Sequence, residues 1–125
     1  MTAVDVGSVE DFPDRTMKIV EARGLEIGIC RWGAEFFAML NRCPHQAAPV
    51  CRGWLQARLE GKAAPDGVRL DARREEPTIL CGWHRWEFSV RSGESAFDPR
   101  YRVKTYPVDV ERDRVLVRLG RGEAA

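Results

Sequence analysis

The chain has 125 residues, with 20 Lys+Arg against 19 Asp+Glu and a formal net charge of +1. That length fits a single domain over residues 1–125, and the balanced charge excludes a general nucleic-acid binder, which carries a basic excess. A composition 44% apolar and 31% charged excludes a disordered or collagen-like chain.

The opening residues, MTAVDVGSVED, have no basic start, no apolar core and no small-residue cleavage site, so no secretory signal is expected. No run approaches 18 apolar residues, so no membrane span is expected. Both point to the cytoplasm, where thiols stay reduced. Four cysteines there suggest metal or redox chemistry before a disulfide framework.

The first 15 residues read as an irregular lead-in closed by Pro13. MKIVEA, LEIGICRW and EFFAMLN then read as strands, with a hairpin turn at Arg23-Gly24 and a break at Gly33-Ala34. Leu25, Ile27 and Ile29 alternate with Glu26, Gly28 and Cys30, the period-two signal of a half-buried strand. From Asn41 to Asp66 the periodicity fails, and Trp54–Leu59 could form at most one helical turn. Val68–Leu70, Thr78–Leu80 and Trp86–Val90 read as short strands, with a tight turn at Ser92-Gly93. Arg102–Val110 alternates weakly, and Pro107 marks an edge or bulge. After a turn at Arg112-Asp113, Val115, Val117 and Leu119 share one face. No helical period is sustained. The pattern predicts an all-β antiparallel sandwich or barrel, interrupted by an irregular excursion over residues 41–85.

The only two histidines each lie beside a cysteine, in Cys43-Pro44-His45 and in Cys81-Gly82-Trp83-His84. Each pair follows a strand-like run, a rigid base from which two side chains can converge on one ion. Two ligand sets fit. One is a closed Cys2His2 zinc site. The other is a [2Fe–2S] centre with two histidines on one iron. Zinc sites favour C-x2–4-C and H-x3–5-H pairs, whereas here each loop mixes one Cys with one His. That mixture suits a binuclear cluster, to which each loop gives a thiolate and an imidazole.

CPHQAAPVC and CGWHRWEFSVRSG resemble the two cluster-binding boxes of the Rieske family. The nearest likeness is to the Rieske ferredoxins of ring-hydroxylating oxygenases and to the small subunit of NADH-dependent nitrite reductase, over roughly residues 17–120. The resemblance implies a Rieske-like β-sandwich with a cluster-binding subdomain, about residues 41–98, inserted in a β base. It implies that Cys43, His45, Cys81 and His84 bind the [2Fe–2S] cluster. Cys43 and Cys81 would hold the buried ferric iron. His45 and His84 would hold the outer iron through Nδ1 and form the exit for the electron. Pro99 would belong to a covering loop. The chain departs from the family at Ala47, Gly82 and Arg85, where glycine, proline and glycine are usual.

High-potential members of the family carry Ser and Tyr hydroxyls near the cluster, where this chain has Trp86 and Phe88. The disulfide that staples their loops is replaced by Ala48 and Trp83. Arg42, Arg52, Arg58, Arg85 and Arg91 outnumber Glu87 and push the potential up, but exposed charges are screened beyond about 8 Å. The expectation is a potential at the low end of the Rieske range of about −150 to +300 mV, falling further at alkaline pH as a histidine ligand deprotonates. The arginines also make a partner face that steers an acidic redox partner.

Cys30, out of phase with Ile27 and Ile29, reads as a packed residue. Cys51 is a spare thiol without the C-x4-C-x2-C spacing of an all-cysteine cluster. Trp83 and Trp86 read as packing under the second loop, and Trp54 as an apolar anchor for the connector over residues 53–77. No G-x-S-x-G, phosphate loop or dinucleotide fingerprint is present, so no catalytic residue and no small-molecule substrate is assigned. The reading is a soluble one-electron carrier, not an enzyme on its own. It would pass electrons from a flavin reductase to a terminal oxygenase or reductase. The alternatives are a zinc-stabilised binding module and a small redox subunit of a permanent, nitrite reductase-like complex.

Overall fold

The computed structural model describes residues 2–44, 49–64, 67–81, 86–96, 98 and 100–120, and leaves out the side chains of residues 2, 58–64 and 67–75. Among the described residues the regular structure is strand, with two short 3₁₀ turns and no α-helix. The strands are β1 (Thr2–Ser8), β2 (Thr16–Ala22), β3 (Leu25–Trp32), β4 (Glu35–Leu40) and β5 (Trp54–Ala64). They continue as β6 (Gly67–Leu80), β7 (Glu87–Ser89), β8 (Thr105–Tyr106), β9 (Val108–Glu111) and β10 (Arg114–Leu119). Three antiparallel sheets result, ordered β1-β10-β9, β2-β3-β4-β8 and β5-β6-β7.

The middle sheet is buried on both faces. One side of β3 carries Ile27 and Ile29 into a core shared with Phe12, Ala38, Tyr106, Val115, Val117 and Leu119. The other side carries Cys30 into a second core with Met39, Val50, Cys51, Ile79, Phe88, Val90 and Val103. The half-buried strand expected from the alternation is therefore buried throughout its centre, because Gly28 and Cys30 also face apolar neighbours. Cys30 is packed, as expected, and burial pushes its thiol up to about 12.

The strands at Met17–Ala22, Leu25–Trp32 and Glu35–Leu40 form as expected, and Ala22 pairs with Leu25 across the Arg23-Gly24 turn. Val115, Val117 and Leu119 share the buried face of β10. Pro107 separates β8 from β9, where the weak alternation suggested an edge.

Three expectations fail. The irregular lead-in is β1, paired along β10 from Thr2↔Leu119 to Ser8↔Arg114, followed by a 3₁₀ turn at Val9–Asp11. The irregular stretch from Trp54, with its possible helical turn, is strand β5. The separate strands Val68–Leu70 and Thr78–Leu80 belong to one long strand, β6, paired with β5 from Ala64↔Gly67 to Trp54↔Leu80. β7 pairs only with Thr78–Leu80, so most of the β5–β6 ribbon has no third strand. The register shift between Arg58 and Glu60 breaks any strict alternation along the ribbon.

Arg91 ties the sheets together at the surface. Its Nη1 and Nη2 donate to the two oxygens of Glu35 at 2.8 and 3.1 Å, its Nε donates to Glu76 at 3.0 Å, and its guanidinium lies over the Phe37 ring at 4.9 Å. The Arg91 hydrogen bonds hold the Glu35 carboxyl below its usual range. A carboxyl lowered in the folded state stabilises at neutral pH, and its contribution fades as pH falls through the folded value. The ion pair is about half exposed, so Arg91→Ala should cost only ~1 kcal/mol at pH 7. Urea titrations should show that cost shrinking below about pH 4, where an ordinary glutamate begins to take up its proton.

Candidate metal centre

Both candidate thiols sit at the ends of sheet elements. Cys43 follows β4 by three residues, and Cys81 follows β6 directly. They are 1% and 2% exposed and belong to one apolar core cluster with Met39, Val50, Ile79, Phe88 and Val90. The structure therefore brings the thiols of the two boxes into the same core. His45 and His84, the other members of the expected site, lie outside the described residues. So do Ala47, Ala48, Gly82, Trp83, Arg85 and Pro99. Among the described residues no three metal-binding side chains gather.

The first box is fastened at both ends. Asn41 N–H donates to Glu26 O at 2.9 Å, and Arg42 N–H to Leu40 O at 2.7 Å. Past the box, a 3₁₀ turn at Val50–Arg52 buries Val50 and Cys51. Asn41 reaches across the box, its Oδ1 accepting the Cys51 N–H at 2.8 Å. The second box is closed by Cys81 N–H, which donates to Trp86 O at 2.9 Å. Glu87 then steadies β7 by accepting from Gln56 Nε2 at 2.8 Å and from buried Thr78 Oγ1 at 3.0 Å.

The boxes also touch each other through backbone. A Cβ placed on Gly53 would overlap the Leu80 carbonyl oxygen and come within 3.2 Å of Val50 O. The exit of the first box is thus pressed against the residue preceding Cys81. A Cβ on Gly28 would likewise overlap Cys51 Sγ and meet Cys51 Cβ and Met17 Sδ at 2.9 Å. Cys51 fills that notch in the sheet and turns its Sγ to Met39 O at 4.0 Å. Burial pushes its thiol up to about 12. Cys51 is accordingly a packing residue, and the reading of it as a spare ligand finds no support.

Trp86 packs against the same core and meets the ring of Tyr101 edge-on at 5.2 Å. Trp54 corrects an expectation. It is 57% exposed and pairs with Leu80 in the ladder, so much of its ring is open to solvent rather than buried as an apolar anchor. Its ring was misread because a large aromatic residue among glycines suggests burial, whereas the strand's pleat turns it out. Phe88 is fully buried, with no hydroxyl to offer. Asn41, Gly53 and Gly28 were not singled out by sequence. The close approaches they serve are made by residues distant in the chain, and no local pattern marks them.

The residues present fit a metal cluster. Two cysteine sulfurs held in one apolar core are soft donors of the kind an iron–sulfur cluster takes, and each would bind it as a thiolate. Asn41 Nδ2 is buried without an acceptor among the described residues, a deficit of about 1–3 kcal/mol unless something supplies one. Cluster and cysteinyl sulfurs are such acceptors.

A β-sandwich that ends two strands on buried cysteines in one core has the architecture of a redox-metal domain. The chain belongs to the Rieske [2Fe–2S] domain family, whose model matches residues 2–107. The match begins well before residue 17, because the supposed lead-in is a strand of the fold. The cofactor is accordingly a Rieske-type [2Fe–2S] cluster. The ferredoxin component of the alkene monooxygenase system of Xanthobacter autotrophicus is 28% identical over 91% of this chain and 79% of its own length. The ferredoxin component of the naphthalene 1,2-dioxygenase/salicylate 5-hydroxylase systems of a Ralstonia species is 27% identical over 93% of this chain and 94% of its own. A Mycobacterium tuberculosis structure assigned as an NADH-dependent nitrite reductase small subunit has the same fold, with TM-score 0.73 and 18% identity over 95% of this chain and 96% of that one.

Proposed function

We propose that the chain is a one-electron carrier of low potential, delivering electrons from a flavin reductase to a terminal oxygenase. The observation that carries this reading is the pair of buried thiols, Cys43 and Cys81, in one apolar core of a Rieske domain. The curated relatives favour an oxygenase partner, since both are ferredoxin components of oxygenase systems. The likeness to the nitrite reductase subunit is one of fold. Cys43, Cys81, His45 and His84 are the proposed ligands, within a cluster-binding subdomain over about residues 41–98. No helix among the described residues is long and apolar enough to cross a membrane, and the proposed site of action is the cytoplasm.

When bound, the cluster takes up one electron and gives it back. The chain's own residues set the terms of that exchange. The apolar core around Cys43 and Cys81 excludes water from the thiolate side. Phe88 withholds the hydroxyl that would favour the reduced state, which places the potential low. Arg42 and Arg52 are exposed beside the first box and its exit. They offer a positive face to an acidic partner.

Absorption and EPR spectra before and after dithionite, with iron, sulfide and zinc counted, test the function. Two irons, two sulfides and a Rieske signal only on reduction support it. A colourless protein with one zinc overturns it, and stable co-purification with a larger subunit would replace the diffusing carrier by a permanent complex. The docking face has its own test in stopped-flow reduction by an acidic flavin reductase. Arg42→Glu with Arg52→Glu should slow the bimolecular rate about tenfold at low salt. The difference should close as the Debye length shrinks toward 3 Å at 1 M salt.

A further inference from the structure

Asn41 lies two residues before Cys43. Burial alternates along this segment: Asn41 is half-buried, Arg42 exposed, Cys43 buried and Pro44 exposed. The Asn41 amide nitrogen and the Cys43 side chain are both buried, with exposed Arg42 between them. The amide's orientation is fixed, because Oδ1 accepts the Cys51 N–H at 2.8 Å and the opposite flip would set donor against donor. Nδ2 is left buried with no acceptor among the described residues. The core that Cys43 and Cys51 share is hydrocarbon and sulfur, and Cys51 Sγ is already turned to the Met39 carbonyl.

We infer that Asn41 Nδ2 donates its hydrogen bond to a sulfur of the cluster, either the Cys43 thiolate or a sulfide. The inference rests on the proposed ligand role of Cys43. Asn41 is then a positioning residue with a second task. Its oxygen holds the exit of the first box, and its N–H stabilises the more negative, reduced state. One neutral side chain thus supplies part of what the missing hydroxyl at Phe88 does not. A donor to sulfur is a recognised means of tuning an iron–sulfur potential.

Asn41 is the only asparagine in the chain. Growth of an asparagine auxotroph on side-chain 15N-asparagine therefore places one label. In the dithionite-reduced holoprotein, pulsed EPR should resolve a 15N hyperfine coupling distinct from the distant-nucleus line. Asn41→Leu, which removes the donor at similar volume, should lower the reduced-to-oxidised ratio at fixed potential about tenfold, or 59 mV for one electron. A Rieske signal with no resolved 15N coupling, or an Asn41→Leu holoprotein with unchanged midpoint, overturns the inference and leaves the carrier reading intact. If Asn41→Leu does not assemble a cluster, the labelled wild type alone decides. A wild-type protein with no reduced signal overturns both.

Discussion

Cys43→Ser and Cys81→Ser should each purify nearly colourless, with iron reduced at least tenfold, while Cys51→Ser and Cys30→Ala keep two irons and their visible spectrum. The contrast follows from where the four thiols sit. Cys30 and Cys51 are buried between strands, with thiols pushed up to about 12, and are held protonated at neutral pH. Cys43 and Cys81 leave the ends of strand segments and face one another's core. A serine oxygen is a poor ligand for a site selected for soft thiolates. Losing the metal also removes its contribution to folding, since such sites do not pre-form in the unfolded chain. The loss should be local. The core of Phe12, Ile27, Ile29, Val115 and Val117 lies on the opposite face of the middle sheet. Far-UV circular dichroism should therefore keep its β signature in all four variants. Cys51→Ser should cost about 1–2 kcal/mol, because it sets a hydroxyl against Gly28 and Met17 in the place of a larger sulfur. Iron retention by Cys43→Ser with loss in Cys51→Ser would reverse the ligand assignment.

The legible parts of the fold were those whose residues face a core on one known side. β10 announced itself by Val115, Val117 and Leu119, and β2–β4 by β-branched and aromatic runs between short turns. The ribbon β5–β6 was hidden. Gly61, Pro65 and Gly67 interrupt the sequence pattern, and the pairing of β5 with β6 leaves no local apolar signal to read. β1 was hidden for a related reason. Asp5 interrupts its apolar residues, and its value lies in an ion pair with Arg114, 109 positions away, at 2.9 Å. Of the candidate site, the cysteines were legible from their spacing and the structure brings Cys43 and Cys81 into one core, while His45 and His84 lie outside the described residues. The supporting residues were not legible. Asn41 looks like an ordinary strand-end polar residue until its oxygen is seen on Cys51 and its nitrogen unmatched.

Gly53→Ala should do more harm than its chemistry suggests. The φ of Gly53 is −79°, which any residue adopts, so backbone conformation is not what demands glycine here. Space demands it. The added Cβ would overlap Leu80 O and lie 2.8 Å from the Leu80 carbonyl carbon. Both atoms are backbone, and Leu80 is fixed by pairing with Trp54 and Glu87 on either side. No side chain can rotate away, so the 3₁₀ turn carrying Val50 and Cys51 must retreat from the second box. Overpacking of this kind costs about 1–3 kcal/mol. For a domain of this size that lowers Tm by roughly 4 °C per kcal/mol. The larger consequence is geometric. The retreat changes the spacing between the segments that carry Cys43 and Cys81, and second-layer errors of that sort weaken metal sites 10–100-fold. Gly33→Ala separates the two effects. Its position has φ +64° and nothing within 4 Å of the added carbon, so it pays only for backbone strain, about 1 kcal/mol, far from the boxes. Both variants should melt earlier than wild type. Only Gly53→Ala should lose iron on exposure to a chelator within the time wild type holds it. Equal iron retention in the two would mean that the boxes are positioned independently of their contact at Leu80.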